Sequence, residues 1–534
     1  MPETYDFIIV GAGSAGCVLA NRLSTNPTNK VLLLEAGPED SNFWIKIPLG
    51  FGKTLQNPKV NWLFESEPEP KLNGRKDFLP RGKTLGGSSS INGMIYMRGQ
   101  SADYDHWAQL GCRGWGYDDV LPYFKKAENN KRGADEYHGT DGPLTVSDLT
   151  EKTVFSKAMI AAGKEIGLPE NPDFNGAEQE GIGYAQVTIA KGRRNSTAEA
   201  FLKPARKRPN LRVVTGASAH HVILDGSRAI GLTFDVHGQI KSAYATREVI
   251  ISCGAYGSPH LLELSGIGDP ERLKTAGITP LHALKGVGEN MHDHQIFRMR
   301  WRLKGKLDTY NERVHGLRAL FEGARYFLSG TGVLTNPTNP VNAFFKTRPE
   351  IATPDVQLQF FPGTYVSIRD RTLDKEPGVT LGPTLLRPHS RGSVHAKSPD
   401  PKASPAILTN VLGTSEDEAA ALIAMRFTRA MMETKAMEPF YRHEMTPGTD
   451  VQTDNELLAY AREIGASNWH PASSCRMGPD TDQMAVVDLT CKVRGMEGLR
   501  VVDASVMPTV ISGNTNAPTI MIAEKISDVI LMSA

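Results

Sequence analysis

Apolar runs and a glycine-rich turn alternate along the first forty residues. The run at 7–10 predicts a strand buried on both faces, and the run at 31–34 predicts a second one. Between them, apolar positions 17, 18, 19 and 23 predict one face of a helix that follows the glycine turn at 11–16. The second strand ends at Glu35. This order of elements predicts a parallel sheet that begins with a β-α-β unit.

Later in the chain the apolar pattern is shorter and more interrupted. Strand-like pieces such as 355–360 are separated by proline and glycine within residues 354–410. Residues 415–437 begin with acidic side chains and continue with apolar ones, which predicts an amphipathic helix. Another helix is predicted over 520–531. These elements predict an antiparallel sheet flanked by helices, so the whole chain is assigned to the α/β class, or α+β overall.

Composition indicates an ordinary globular protein and excludes several functional classes. The chain has 534 residues, and its 60 Lys and Arg against 59 Asp and Glu argue against nucleic acid as a main partner. No apolar run approaches the roughly 18 residues that span a bilayer. Five scattered cysteines without a CxxC pair indicate reduced thiols and no zinc site. We therefore expect a cytoplasmic protein without metal. A peripheral contact with the inner face of the membrane and the oligomeric state both stay open.

The glycine turn has the spacing of a dinucleotide-binding fingerprint. Gly11 makes the tight turn, Gly13 lets the backbone approach a pyrophosphate, and Gly16 lets the helix pack on the sheet. The start of the helix stabilises phosphate charge. Glu35 is expected to accept hydrogen bonds from the adenosine ribose hydroxyls. The unit predicts an ADP-containing dinucleotide, NAD or FAD, held by these four residues and by Ser14, Ala15 and Ala36.

Two longer segments favour FAD by resemblance. Residues 81–99 (RGKTLGGSSSINGMIYMRG) and 254–268 (GAYGSPHLLELSGIG) closely resemble the signature segments of the glucose–methanol–choline (GMC) flavoprotein oxidoreductases. The N-terminal unit, residues 286–294 and residues 470–534 are similar as well, so the resemblance spans essentially the whole chain. Among relatives, the chain is most similar to bacterial choline-dehydrogenase-like enzymes and to aliphatic or polyethylene glycol alcohol dehydrogenases.

The resemblance implies which residues hold the FAD. The residue at Ala219 touches adenine through its backbone, and the step from Asp503 to Ala504 contacts the ribityl chain and the pyrophosphate. Ile91 stands where some relatives carry a histidine that binds FAD covalently, which predicts noncovalent FAD. The other implied contacts are Arg81, Thr84, Gly86, Gly87, Ser88, Asn92, Gly93, Met94, Ile95, Gly254, Trp469, Thr515 and Asn516.

The resemblance also implies two catalytic residues near the C-terminus. His470 matches a histidine that lies over the flavin, and a neutral imidazole with a pKa near ~6.5 suits removal of a hydroxyl proton. Asn514 matches a second active-site residue, and its amide would bind the substrate oxygen. Asn516 is the alternative in that role, or it caps a helix. The sequence His-Asp-His at 292–294 has the composition of a metal cluster, but the resemblance assigns it to a loop near the cofactor.

The cofactor motifs are separated by two stretches that contain none of them. This spacing predicts a discontinuous FAD-binding domain of residues 1–150, 205–300 and 470–534. The intervening residues 151–204 and 301–469 would form a substrate-binding domain. Substrate specificity is expected there, where the sequence offers no motif.

The expected reaction is oxidation of a primary alcohol to an aldehyde, with the hydride passing to flavin N5 and the proton to His470. The electrons are expected to pass to a quinone or an artificial acceptor. Near-zero net charge, and no recognisable carboxylate and aromatic cage for an ammonium, favour an uncharged aliphatic, aryl or polyether alcohol. The alternatives are an alcohol oxidase that uses O₂, of the aryl-alcohol or choline type, and a non-redox lyase or decarboxylase on the same fold. An NAD-dependent dehydrogenase would explain only the first forty residues.

Overall fold

The computed structural model describes residues 3–367 and 372–533. The strands are β1 (Glu3–Val10), β2 (Val31–Glu35), β3 (Phe64–Glu65), β4 (Phe78–Leu79), β5 (Glu128–Asn130), β6 (Leu144–Val146), β7 (Gly181–Tyr184), β8 (Ile189–Ala190), β9 (Arg193–Arg194), β10 (Leu211–Thr215), β11 (Ala217–Asp225), β12 (Arg228–Val236), β13 (Gln239–Ile251), β14 (Ile267–Gly268), β15 (His282–Ala283), β16 (Gln295–Ile296), β17 (Met299–Leu303), β18 (Val341–Phe345), β19 (Val356–Phe361), β20 (Tyr365–Ser367), β21 (Thr372–Leu373), β22 (Gly378–Leu385), β23 (Ser393–His395), β24 (Ala406–Leu408), β25 (Tyr441–Thr446), β26 (Ala466–Ser467) and β27 (Leu499–Val501).

The α-helices vary from single turns to five turns in length. They are α1 (Ser14–Leu23), α2 (Phe43–Lys46), α3 (Phe51–Thr54), α4 (Ser101–Gln109), α5 (Tyr117–Ala127), α6 (Val154–Glu165), α7 (Lys203–Ala205), α8 (Gly254–Leu264), α9 (Pro270–Thr275), α10 (Tyr310–Arg313), α11 (Gly316–Ser329), α12 (Ser415–Met432), α13 (Asp454–Ile464) and α14 (Asn516–Met532). None of the helices in the described part of the chain is long and apolar enough to cross a bilayer.

A seven-stranded sheet contains the predicted β-α-β unit. Its strands follow the order β10-β2-β1-β13-β12-β11, with β27 beside the C-terminal half of β13. The pairs from β10 to β13 are parallel, and the pairs of β11, β12 and β13 are antiparallel. The first strand starts at Glu3, earlier than the apolar run predicts, because residues 3–5 pair with residues 243–245 of β13. The carboxyl ends of β1 and β2 therefore meet at one edge, beside the start of α1.

An eight-stranded antiparallel sheet lies in the later part of the chain. Its main order is β25-β17-β22-β19-β18-β7, and β16 and β26 extend it at β22. The helix predicted over 415–437 ends at Met432. Beyond this end, the Glu165 carboxylate accepts hydrogen bonds from the backbone amides of Lys435 and Ala436. The mixed α/β fold class is thus confirmed, with one largely parallel sheet and one antiparallel sheet.

The strands of the first sheet come from the three segments predicted to bind FAD. Those of the second sheet come mainly from 151–204 and 301–469, although β16 and β17 lie at the boundary near residue 300. The exact division into two domains stays a prediction. In the second sheet, β16 pairs with β26. His294 directly precedes β16, and His470 follows shortly after β26.

Candidate active site

A cavity of about 650 Å³ is lined by residues of both sheets, a size typical of ligand sites. Most of the predicted site residues lie on its wall. They are Gly11, Gly13, Ser14, Ala15, Glu35, Ala36, Arg81, Gly87, Ser88, Asn92, Gly93, Met94, Ile95, Ala219, Gly254, Trp469, His470, Asp503, Ala504, Asn514, Thr515 and Asn516. Tertiary folding thus brings together segments that are up to 500 positions apart.

Three predicted residues, Gly16, Thr84 and Gly86, lie behind this wall instead of lining it. A Cβ atom on Gly16 would lie 1.9 Å from the carbonyl oxygen of Gly11, so only glycine lets α1 pack against the turn. The hydroxyl of Thr84 donates to the carbonyl of Pro38 at 2.9 Å. The amide of Gly86 donates to the carbonyl of Ala12 at 2.7 Å. These three residues hold the wall in place.

Two glycine-containing loops, the turn at 11–16 and the loop at Gly87, meet beside the cavity. Gly11 has a φ of +97°, and a Cβ there would lie 2.5 Å from the carbonyl oxygen of Ser252. Gly87 has a φ of +52°, and a Cβ there would lie 2.7 Å from the Cα of Gly13. A Cβ on Gly13 itself would meet no atom nearer than 4.0 Å. The two loops therefore touch through glycine backbone, and Gly13 leaves open space on the cavity side.

Three helices begin at this end of the cavity. The caps of α1 and α14, Gly13 and Thr515, make no side-chain hydrogen bond to the first amides of their helices. The hydroxyl of Ser14 donates to Oδ1 of Asn516 at 2.7 Å, which ties the two helix starts together. The third helix, α8, begins at Gly254 on the same wall. Uncapped amides and aligned helix dipoles favour negative charge, as a pyrophosphate would supply.

Two buried carboxylates organise the same region. Glu35 accepts hydrogen bonds from the amides of Ala12 at 2.9 Å and Gly37 at 2.8 Å, and burial raises its pKa to about 7. Asp503 accepts from the amide of Gly254 at 2.8 Å and from the hydroxyl of Ser258 at 2.5 Å. Both carboxylates therefore fix the backbone around the cavity, and both lie on its wall.

On the same cavity wall, His470 lies between two polar side chains. Its Nε2 is 3.0 Å from Nδ2 of Asn514. Its Nδ1 is 2.9 Å from Nδ1 of His294, whose Nε2 is 2.9 Å from the carbonyl oxygen of Ile511. The Oδ1 atom of Asn514 is buried and has no hydrogen-bond partner among the described residues. His470 and Asn514, predicted as a pair, are in direct contact.

The hydrogen bonds assign the tautomers of both histidines. A carbonyl oxygen only accepts, so the Ile511 contact requires a proton on Nε2 of His294. In neutral His294, Nδ1 is then the acceptor, and Nδ1 of His470 must donate to it. Nε2 of His470 is left without a proton, and the Asn514 amide can donate to it. The bare nitrogen of His470 is thus the one beside Asn514 on the cavity side.

Burial keeps both imidazoles neutral. It lowers the pKa of His470 well below its ordinary value, and the neighbouring His294 and Arg81 lower it further. Burial also lowers the pKa of His294 to about 4. An unprotonated His470 is therefore the stable form near neutral pH.

The position of His470 depends on a carboxylate that sequence reasoning did not single out. Asp293 accepts a hydrogen bond from the backbone amide of His470 at 2.9 Å and from the hydroxyl of Ser467 at 2.5 Å. Arg81 donates to the carbonyl of Trp469 at 2.5 Å, and Trp469 has a φ of +65°. The 292–294 segment thus orients the site, and the described residues contain no cluster able to hold a metal ion. The His-Asp-His order of residues 292–294 was the available signal in the sequence. The residues that these side chains contact are too distant along the chain to be identified from the sequence.

Part of the cavity wall is apolar. Its apolar and aromatic residues include Phe51, Leu55, Ile91, Ile296, Phe361, Tyr365 and Trp469. The Arg298 guanidinium lies over the Trp469 ring, 5.6 Å from its centroid. Among the described residues on the wall, the carboxylates are Glu35 and Asp503, and both accept hydrogen bonds from backbone amides.

Comparisons with known proteins identify the family. The N-terminal family model described as GMC oxidoreductase matches residues 5–296, and the C-terminal one matches residues 388–523. This protein is a member of the GMC oxidoreductase family.

Curated relatives and solved structures agree with this membership. The GMC chain is 42% identical to an oxygen-dependent choline dehydrogenase of Vibrio vulnificus, covering 99% of this chain and 95% of the relative. It is also 42% identical to an alcohol dehydrogenase [acceptor] of Pseudomonas putida, over 99% and 96% of the two chains. Among solved structures, pyridoxine 4-oxidase from Mesorbium loti superposes with a TM-score of 0.90 at 28% identity, covering 99% of both chains.

FAD is the cofactor that family membership supports, and the cavity fits it. The starts of α1 and α14 have no side-chain cap and lie together, an arrangement that favours an anionic group such as a pyrophosphate. No atom lies within 4 Å of a Cβ built on Gly254, so the backbone there is open to a ligand. The predicted adenine and flavin contacts, Ala219 and Ile95, lie on the wall of the same cavity. Which atoms each residue contacts stays a prediction.

Proposed function

We propose that this GMC oxidoreductase oxidises an uncharged primary alcohol to the aldehyde, with His470 as the general base. The observation that carries the proposal is the chain of hydrogen bonds from the Ile511 carbonyl through His294 to His470. It leaves Nε2 of His470 unprotonated on the cavity side, beside Asn514. A base must already lack its proton when the substrate hydroxyl arrives, and this arrangement meets that requirement.

The residues around the base act on the hydroxyl group of the substrate. The hydroxyl oxygen takes the place of the present contact between Asn514 and His470, accepts a hydrogen bond from Nδ2 of Asn514 and donates its proton to Nε2 of His470. Bound FAD supplies the oxidant, a ring nitrogen that accepts the hydride from the carbinol carbon. Loss of a proton and a hydride together converts the alcohol to an aldehyde. General-base assistance of this kind contributes ~10²–10⁴-fold to a rate.

The wall composition supports an uncharged substrate. A quaternary ammonium is usually held by a carboxylate or by open aromatic faces. In the described part of the wall, both carboxylates already accept hydrogen bonds from backbone amides. Near the base, the cationic Arg298 already covers the Trp469 ring. An aliphatic, aryl or polyether alcohol suits these surroundings better than choline, even though several relatives are named choline dehydrogenases.

The cofactor is proposed to be noncovalent. Ile91 lies on the cavity wall and offers no nucleophilic atom to the flavin. The electrons are proposed to leave to a quinone or an artificial acceptor, and the name of the Pseudomonas relative supports that class. Oxygen is the alternative acceptor, as the names of the choline dehydrogenases suggest.

An anaerobic visible spectrum of the holoenzyme tests the substrate class. A panel of primary alcohols is added together with a matched pair: choline and its uncharged isostere, in which carbon replaces nitrogen. We expect uncharged alcohols, including the isostere, to bleach the flavin band faster than choline does. Faster bleaching by choline would contradict the uncharged substrate, and a band that no alcohol bleaches would contradict alcohol oxidation itself.

Two further steps complete this experiment. Acid precipitation should release the flavin into the supernatant, whereas flavin that stays with the pellet would contradict noncovalent binding. Admission of air to the bleached enzyme then separates the acceptors. Slow return of the band, with fast return on adding a quinone, is expected. Return in air as fast as with quinone would favour an oxidase.

A further inference from the structure

Helix α11 exposes its apolar face, whereas an ordinary surface helix buries that face. Its large apolar side chains point to solvent: Leu317, Leu320, Phe321, Phe327 and Leu328 have exposed fractions between 63% and 88%. Its polar side chains Glu322 and Tyr326 are buried. A surface helix normally buries its apolar stripe and exposes its charges.

Buried polar contacts fix this orientation. Glu322 forms an ion pair with Arg313, at 2.9 Å to Nε, and accepts a hydrogen bond from the amide of Val333 at 3.0 Å. Arg325 extends the pair to Glu151, at 2.7 Å. Rotating α11 to bury its leucines would break these contacts and leave charges unpaired, which is costly. The outward apolar face is therefore a stable feature of the fold.

The exposed surface continues onto α2. Phe43 stacks on Phe327 with ring centroids 6.1 Å apart, and Trp44 lies beside Phe43 at 5.1 Å. We call this surface the apolar platform: Phe43, Trp44, Leu317, Leu320, Phe321, Phe327 and Leu328. Contiguous exposed apolar patches on soluble proteins mark sites that contact another molecule or a membrane.

The exposed charges within the segments that carry the platform are cationic. The segments 41–56, 189–194 and 314–335 are adjacent, since Arg194 donates to the Ile45 carbonyl and Gly192 lies against Gly330. Glu322 is the one acidic residue in these three segments, and it is buried. Their exposed cations are Lys53, Lys191, Arg193 and Arg318. Apolar side chains with a cationic rim suit the surface of an anionic bilayer.

A second copy of this chain fits the platform less well. A symmetric dimer would place the same surface on both sides of the interface. The cationic rim would then face another cationic rim, with no exposed acid in the three segments to neutralise it. Anionic headgroups have no such conflict.

The platform also lies close to the cavity. Phe43 and Trp44 are exposed to solvent. A few residues later, the same stretch of chain contributes Phe51 and Leu55 to the cavity wall. α11 is followed by Val333, which belongs to the same buried cluster as Phe51, Leu55 and Phe361. Docking of this surface would therefore bring a lipid phase next to the substrate end of the cavity.

We propose that the apolar platform docks this protein onto an anionic lipid surface, with Leu317, Leu320, Phe321 and Leu328 entering the interface. The docking itself does not depend on the proposed activity. It would let an apolar alcohol or electron acceptor pass between the lipid and the cavity.

Vesicle flotation of the full-length holoprotein tests the proposal. Wild type is compared with the variant Leu317→Ser/Leu320→Ser/Leu328→Ser, using vesicles of phosphatidylcholine alone and phosphatidylcholine mixed with phosphatidylglycerol. We expect wild type to float with the anionic vesicles and to be released by salt. Partitioning of the triple variant should fall about tenfold or more, because three apolar side chains leave the interface.

A matched control variant, Ile240→Ser/Leu281→Ser, removes two exposed apolar side chains outside the platform, with exposed fractions of 70% and 64%. It should float like wild type. Flavin content and turnover with a water-soluble alcohol and dye should be the same in all three proteins. Wild type that fails to float, or a triple variant that floats equally well, overturns the proposal. A wild-type dimer that becomes monomeric in the triple variant would overturn it too, and would assign the platform to a second copy.

Discussion

Two regions of the cavity wall, the glycine turn and the cluster around His470, are built in different ways. At the dinucleotide end, the backbone of the β1–α1 turn and the side chain of Glu35 come from the first 35 residues. At the catalytic end, His294 contacts His470, 176 positions away, and the Ile511 carbonyl, 217 positions away. The first end relies on glycine backbone and helix starts, and the second relies on side chains that meet only when both sheets are in place. The glycine turn with Glu35 is therefore encoded locally, and the cluster around His470 is not.

This difference predicts separable defects. Changes at the glycine turn should lower FAD affinity while the bound fraction reacts normally. Changes at the histidines should lower turnover while FAD stays bound. The following variants are arranged from the largest expected effect to the smallest.

His470→Ala removes the proposed base. The rate of flavin reduction by alcohol should fall ~10²–10⁴-fold, the usual contribution of a general base. Stopped-flow absorbance measures this rate, and the flavin-to-protein ratio of the purified variant should match wild type. A fall of less than tenfold with FAD retained would show that another group takes the proton.

Gly16→Ala adds a Cβ that would lie 1.9 Å from the Gly11 carbonyl oxygen. Overpacking of about 1–3 kcal/mol should weaken FAD binding roughly tenfold to a hundredfold, measured by fluorescence titration of the apoprotein. Gly323→Ala is the matched control, because Gly323 also lies inside a helix and a Cβ there meets no atom within 4 Å. Equal FAD affinities in the two variants would contradict the packing role of Gly16.

His294→Ala should lower the flavin reduction rate about tenfold, because His470 loses the partner that fixes its tautomer. His294 and burial both lower the pKa of His470. Its replacement removes one of these effects and admits water, so the pKa of the base should rise. Activity requires the unprotonated base, so the acidic limb of the pH–rate profile should move to higher pH.

The neighbouring variant His292→Ala serves as the control for this shift. His292 is buried as well, and its Nδ1 accepts a hydrogen bond from the amide of Val510 at 3.3 Å. It should leave the position of the acidic limb unchanged. The same displacement in both variants would indicate a general loosening of the loop and not a specific contact with His470.

Glu35→Gln should weaken FAD binding several-fold, since a neutral amide accepts hydrogen bonds less strongly than a carboxylate. Burial raises the pKa of Glu35 to about 7. The ionised form is the better acceptor, so wild-type FAD affinity should rise as pH increases through 7. The variant should lack this rise. A pH dependence identical to that of wild type would mean that Glu35 does not control the affinity.

Several elements were predictable because their signals are local. The β-α-β unit follows from two apolar runs and one glycine turn, and the structure places β1, α1 and β2 there. The start of the helix after 415 follows from its acidic residues, but its end at Met432 does not. The turn after that end is held by Glu165, about 270 positions earlier, whose carboxylate accepts a hydrogen bond from the amide of Lys435. No local pattern contains such a contact.

The sequence by itself determined the fold class, the dinucleotide turn and, through long motifs, the family and most of the cavity wall. Tertiary structure alone decided the tautomer of His470, because that depends on the His294 and Ile511 contacts. It also decided the direction of α11. Periodicity shows that a helix has an apolar face, but which face turns inward depends on the buried pair of Glu322 and Arg313, a contact between elements.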